Sequence, residues 1–69
     1  MRKMSLHEAY ISQSAPANDN YRRNKFDATV TLNGTRITHV KNLGKGEMRI
    51  WPAGEASRKA RTADVVEVE

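Results

Sequence analysis

The side chains available for covalent chemistry are few. The nucleophiles are serines and threonines, and cysteine is absent. The two histidines, His7 and His39, fall in different segments, and no spacing pairs either with a nucleophile and an orienting acid, as triad chemistry requires. The eight acidic residues show no spacing that singles out a carboxylate pair. There is no H-x-x-x-H, no EF-hand loop and no thiol ligand, so nothing points to a metal. Gly44-Lys45-Gly46 is too short for a phosphate loop of the G-x-x-x-x-G-K-[ST] form, and reads as a tight turn. The reading is a non-enzymatic protein with no cofactor.

The basic residues offer a different chemistry. Arg22, Arg23, Arg36, Lys41, Lys45, Arg49 and Trp51 form the candidate binding set. Guanidinium groups pair bidentately with phosphate or carboxylate, and an indole offers a stacking platform for a base. Sheets that bind single strands combine the two. The same residue types dominate protein–protein hot spots. In the purely structural alternative, Trp51 packs under a C-terminal helix and the arginines solvate the sheet.

The elements that would position this set follow from pattern. Phe26, Ala28, Val30 and Leu32 alternate with Asp27, Thr29 and Thr31, which predicts a strand. Asn33-Gly34 predicts a two-residue type I′ turn, and Thr35 to Val40 returns as a second strand. That turn sets Leu32 opposite Thr35 and Val30 opposite Ile37. Strict alternation then puts Val40 on the polar face; either it covers a second small cluster there, or a bulge near Thr38 or His39 returns it to the core. Asn42 to Gly46 is a second turn, and Glu47 to Trp51 a third strand with Met48 and Ile50 inward, closed by Pro52. Arg22, Arg23 and Lys25 lie at one edge of this meander. Thr29, Thr31, Arg36, Thr38, Arg49 and Trp51 face outward.

Flanking segments are shorter. Ser5-Leu6-His7-Glu8 has the form of a capping box and predicts a helix over 6–12, docked by Leu6, Tyr10 and Ile11. Residues 12–20 hold no large apolar side chain and read as an extended linker around Pro16. Ala56, Ala60 and Ala63 sit at helical spacing and predict a short helix at 55–62. Val66 and Val68 predict a terminal strand at 65–68.

With 69 residues there is room for one thin-cored domain. It divides into a helix and linker (1–20), a β-meander (26–51) and a C-terminal helix and strand (55–69). The fold class is α+β: a three- or four-stranded antiparallel meander with short N-terminal and C-terminal helices. The expected core is Phe26, Val30, Leu32, Ile37, Met48, Ile50 and Val66, with Leu6 or Tyr10. The net charge of +4 is uneven: residues 1–25 carry +3, residues 26–51 +2 and residues 52–69 −1. A basic body suits phosphates or an acidic protein surface. No apolar run approaches the ~20 residues of a bilayer span, and the polar stretch after Met1-Arg2-Lys3-Met4 is no signal-peptide core. A cytoplasmic location and no membrane partner are the expectation.

Across residues 26–51, the succession of strand, Asn33-Gly34, strand, Asn42-x-Gly44-x-Gly46 and strand resembles the small accessory proteins of phages and mobile elements, including compact anti-CRISPR proteins. The resemblance covers the middle third of the chain. It implies an inhibitor that docks on a nucleic-acid-guided defence complex of the host and blocks its nucleic-acid path. Such inhibitors are more often acidic mimics, and this chain is basic. That leaves docking on an acidic protein surface, or clamping nucleic acid onto the complex. A direct DNA- or RNA-binding protein using the same face is the second reading. A structural subunit that dimerises through a sheet edge is the third, so monomer and homodimer are both open.

Overall fold

The computed structural model describes residues 2–69. Its elements are β1 (Arg2–Ser5), α1 (Leu6–Gln13), β2 (Ser14–Pro16), β3 (Asn24–Leu32), β4 (Thr35–Gly44), β5 (Glu47–Pro52), β6 (Arg58–Arg61) and β7 (Val65–Val68). The protein is therefore mostly antiparallel sheet with one short helix. Seven strands replace the expected three or four. Their order is β1-β7-β3-β4-β5-β6, with β2 beside the start of β3. Strand β3 changes neighbour along its length: β2 pairs with Asn24–Phe26, and β7 with Val30 and Thr31. Among the described residues no helix is long and apolar enough to cross a membrane.

The hairpin forms as its turn chemistry requires. Asn33 and Gly34 both take positive φ (52° and 80°), the type I′ geometry, and Leu32 faces Thr35 and Val30 faces Ile37. On the other side of β4, Ile37 pairs with Pro52 and His39 with Trp51, so Thr38 is the extra residue of a bulge. Beyond it Val40 turns inward and is fully buried. The Thr38 hydroxyl donates to the Trp51 carbonyl at 3.2 Å, a hydrogen bond made beside the interrupted ladder. His39 Nδ1 lies 2.9 Å from the same hydroxyl oxygen.

The core joins both ends of the chain to the meander. All seven expected sheet positions are buried, together with Leu6, Ala9, Val40 and Val68. Helix α1 starts at the Ser5 cap, whose hydroxyl accepts from the Glu8 amide at 3.1 Å. Its first amides donate outside the helix, Leu6 to the Asp64 carbonyl and His7 to that of Thr62. A helix of 8 residues is marginal by itself, and buried Leu6 and Ala9 hold it. Tyr10 packs at the core margin, whereas Ile11 is 66% exposed and does not dock.

Two segments differ from expectation. The helix at 55–62 does not form. Gly54 turns the chain at φ +74°, and Arg58–Arg61 adds to the free edge of β5. Its alanines offer a helix too narrow an apolar stripe, while the strand gains a full backbone ladder and lays Ala60 against the core. The linker at 12–20 is partly a strand as well. Ser14–Pro16 pairs with β3, with Pro16 at an end where its missing N–H costs no ladder bond. The terminal strand at 65–68 forms as expected, with Val66 and Val68 inward.

Candidate functional site

Residues directly opposite in antiparallel strands share a face. Alternation with the buried Val40, Met48 and Ile50 puts two rows of β4 and β5 outward. One row is Lys25, His39 and Trp51 on β3, β4 and β5. The next is Lys41, Arg49 and Lys59 on β4, β5 and β6. The second row sets three cations side by side across three strands. Like charges directly opposite each other destabilise a sheet by about 0.2–1 kcal/mol per pair. Stability alone does not account for this arrangement.

The loop at 17–23 folds over the aromatic row. Asp19 organises it: one carboxylate oxygen accepts from the amides of Tyr21 (3.1 Å) and Arg23 (3.4 Å), and the other from Arg23 Nε. The hydrogen bond from the Arg23 side chain, helped by the loop amides, holds the Asp19 carboxyl below its ordinary pKa. The Arg23 guanidinium lies 5.2 Å from the Tyr21 ring centroid and 5.1 Å from that of Trp51. It is thus stacked between two rings as well as ion-paired. His39 lies opposite Trp51 in the ladder and titrates below its ordinary range, chiefly through desolvation, then through the Arg23 charge, with Lys25 adding and Asp19 opposing.

A cleft of about 470 Å³ opens between this loop and the sheet. Lys41, Arg49, Trp51 and Leu43 line the sheet side, and Asn20, Tyr21 and Arg22 the loop side. Arg22 is exposed and has positive φ (54°). Arg49 donates to the Ser57 hydroxyl at 3.1 Å. Among the described residues the ion pairs are Arg23–Asp19 and a long Lys59–Glu47 contact at 3.9 Å. Arg22, Lys41 and Arg49 have no carboxylate within that distance. The cleft is therefore an unneutralised cationic floor with aromatic and aliphatic walls.

Of the seven candidate residues, four line this cleft: Arg22, Lys41, Arg49 and Trp51. Arg23 lies beside it, its charge answered by Asp19. Arg36 is elsewhere, opposite Thr31 on β3, roughly 16 Å along β4 from Lys41 by strand rise. Lys45 is in the β4–β5 turn, beside a separate depression with Glu47, Lys59 and Arg61. Trp51 is not covered by a C-terminal helix but partly by the Arg23 guanidinium. Sequence reasoning passed over Tyr21, Leu43 and Lys59. Tyr21 was signalled by its place directly before Arg22-Arg23. Lys59 carried no signal, because its segment reads as helix.

Among the described residues no group of three or more His, Asp or Glu side chains gathers where it would hold a metal. No protein-family model, curated protein or solved structure matches this chain.

Proposed function

We propose that the protein is a non-enzymatic binder of nucleic acid, receiving backbone phosphates on Arg22, Lys41 and Arg49. One observation carries this reading: Lys41 and Arg49 stand directly opposite each other on the outer face with no acid to offset them. A site that meets its own electrostatic cost and leaves it uncompensated is built for an anion from outside. Phosphate diesters supply that charge at regular intervals, and Arg presents a fork that matches them.

Docking on an acidic surface of a host nucleoprotein complex, as in anti-CRISPR inhibition, would use the same cations. Nucleic acid is the better match because Tyr21 and Trp51 flank those cations. The structural-dimer reading is weaker on physical grounds. Both end strands are basic, β1 through Arg2 and Lys3 and β6 through Arg58, Lys59 and Arg61. Edge charges of one sign oppose strand-to-strand pairing of two copies.

The test is titration with a short oligonucleotide at low salt, followed by fluorescence of Trp51, the sole tryptophan. Three phosphate contacts give a slope of log affinity against log salt of about −2 for a single strand. An absence of binding at low salt, or a slope near zero, rejects the reading. Retention of an intact host nucleoprotein in that case would favour docking.

A further inference from the structure

The cleft contains more than phosphate binding needs. Tyr21 is 63% exposed and Leu43 40% exposed, and both stand on the rim of the cationic floor. An anion site has no use for the apolar face of an exposed ring or for an exposed leucine. A site for a base gains from both, because every base has an apolar π face.

The Tyr21 ring is also held in place. Its own amide is fixed by Asp19, and Arg23 stacks between Tyr21 and Trp51 while bonded to Asp19. The ring is thus propped from the protein side. A platform ordered before binding loses little freedom when the ligand arrives. Duplex nucleic acid cannot use it, since paired bases show only their edges in the grooves. An unstacked base can.

We infer that the cleft takes a single-stranded nucleic acid, with one unpaired base stacked on Tyr21 against Leu43 and the flanking phosphates on Arg22, Lys41 and Arg49. This rests on the anion-binding reading of those three cations and goes beyond it by naming the state of the strand and the residue that reads it.

The experiment compares three probes on the full chain by competition at fixed salt: a short oligothymidylate, the same oligomer annealed to its complement, and inorganic polyphosphate. The single strand is expected to bind at least roughly tenfold more tightly than either of the others, the contribution of one stacked base. Tyr21→Ala is expected to remove that preference, losing more affinity for the single strand than for polyphosphate, and Tyr21→Phe to keep it. Running the oligomer in its ribo form as well identifies which sugar is preferred, and a single-strand preference with either sugar supports the inference. Equal binding of all three probes overturns it while leaving the anion site standing. So does an equal loss for all three in Tyr21→Ala, which would mark the ring as merely structural. Failure of every probe to bind at low salt rejects the anion site itself, and this inference with it.

Discussion

Two rows cross the outer face of the same sheet, and their charges are arranged in opposite ways. At one end Lys3, Glu67, Thr31 and Arg36 lie opposite one another on β1, β7, β3 and β4. Cations there alternate with an acid and a neutral hydroxyl. At the other end Lys41, Arg49 and Lys59 follow one another on β4, β5 and β6 with no acid between them. Of the three, Lys59 reaches a carboxylate, that of Glu47 at 3.9 Å, while Lys41 and Arg49 do not. Both rows sit on short antiparallel strands over one core, so the fold does not impose the difference. The first row satisfies the cross-strand rule and needs no ligand. The second violates it beside a cleft with aromatic walls. Basic residues are common in this chain, and it is the missing counter-charge that separates a site from a solvated surface.

The largest effect is expected from making the second row resemble the first. Arg49→Glu alternates its charges and takes two units of positive charge out of the cleft. Loss of a charge-assisted contact is worth about 1.5–3 kcal/mol, so oligonucleotide affinity should fall at least tenfold. Stability should rise by about 0.4–2 kcal/mol, less what is lost with the Ser57 hydrogen bond, because two like-charge pairs become opposite pairs. Binding isotherms and urea denaturation read the two changes. Equal losses in both would mean that Arg49 is a structural residue and that the rows do not differ in kind.

The next effect concerns the cation whose charge is answered within the chain. Arg23→Ala removes the Asp19 contact and the guanidinium between Tyr21 and Trp51. It should lower stability by about 1–2 kcal/mol in urea denaturation. Its cost to affinity should be smaller than that of Arg49→Glu, since Arg23 holds the loop and does not line the cleft. A larger binding loss than for Arg49→Glu would move Arg23 into the site and erase the distinction.

Much of this scaffold was legible because several sequence signals agreed. Asn33-Gly34 fixed the hairpin register, and the alternation around it named every core position of the meander except Val40. The misplaced Val40 left two remedies open, a second small cluster on the polar face or a bulge near Thr38 or His39, and the chain uses the bulge. The strands that escaped notice, β1, β2 and β6, are 3 or 4 residues long and mostly polar. They owe their state to the open backbone edges beside them, which no local pattern reports. Arg58–Arg61 is the clearest case, since alanine spacing favoured helix and the free edge of β5 decided otherwise. The site was half legible for the same reason. Residue type nominated Arg22, Lys41, Arg49 and Trp51, but also Arg36 and Lys45. Only the cross-strand register reveals which cations lack an acid.

A smaller effect comes from pH. The pKa of His39 is lowered in the folded state, so between that value and 6.5 the unfolded chain binds more protons there. Stability should be full above 6.5, fall as pH drops through that window, and level off below the folded value. Asp19 has a lowered pKa as well, so its contribution is present above 3.8 and is lost as pH falls through its folded value. His39→Gln should remove the upper limb of the pH profile of the urea midpoint and leave the lower one. An unchanged upper limb would show that His39 is not desolvated in the folded chain.

The smallest effect is expected at Arg36, and its smallness is the informative part. Arg36→Glu changes net charge by the same two units as Arg49→Glu, so a protein that attracts nucleic acid only through overall charge must respond to both alike. Roughly 16 Å of strand separates Arg36 from Lys41, about twice the 8 Å screening length of physiological salt. Affinity there should change less than about twofold, and stability by less than about 0.5 kcal/mol, as for a surface position without a special contact. As salt is lowered and the screening length passes about 16 Å, the variant should begin to lose affinity. Arg49→Glu should be impaired at every salt concentration. Parallel losses for the two variants at physiological salt would mean that the protein responds to net charge rather than to the cleft, and the contrast between the rows would have no functional content.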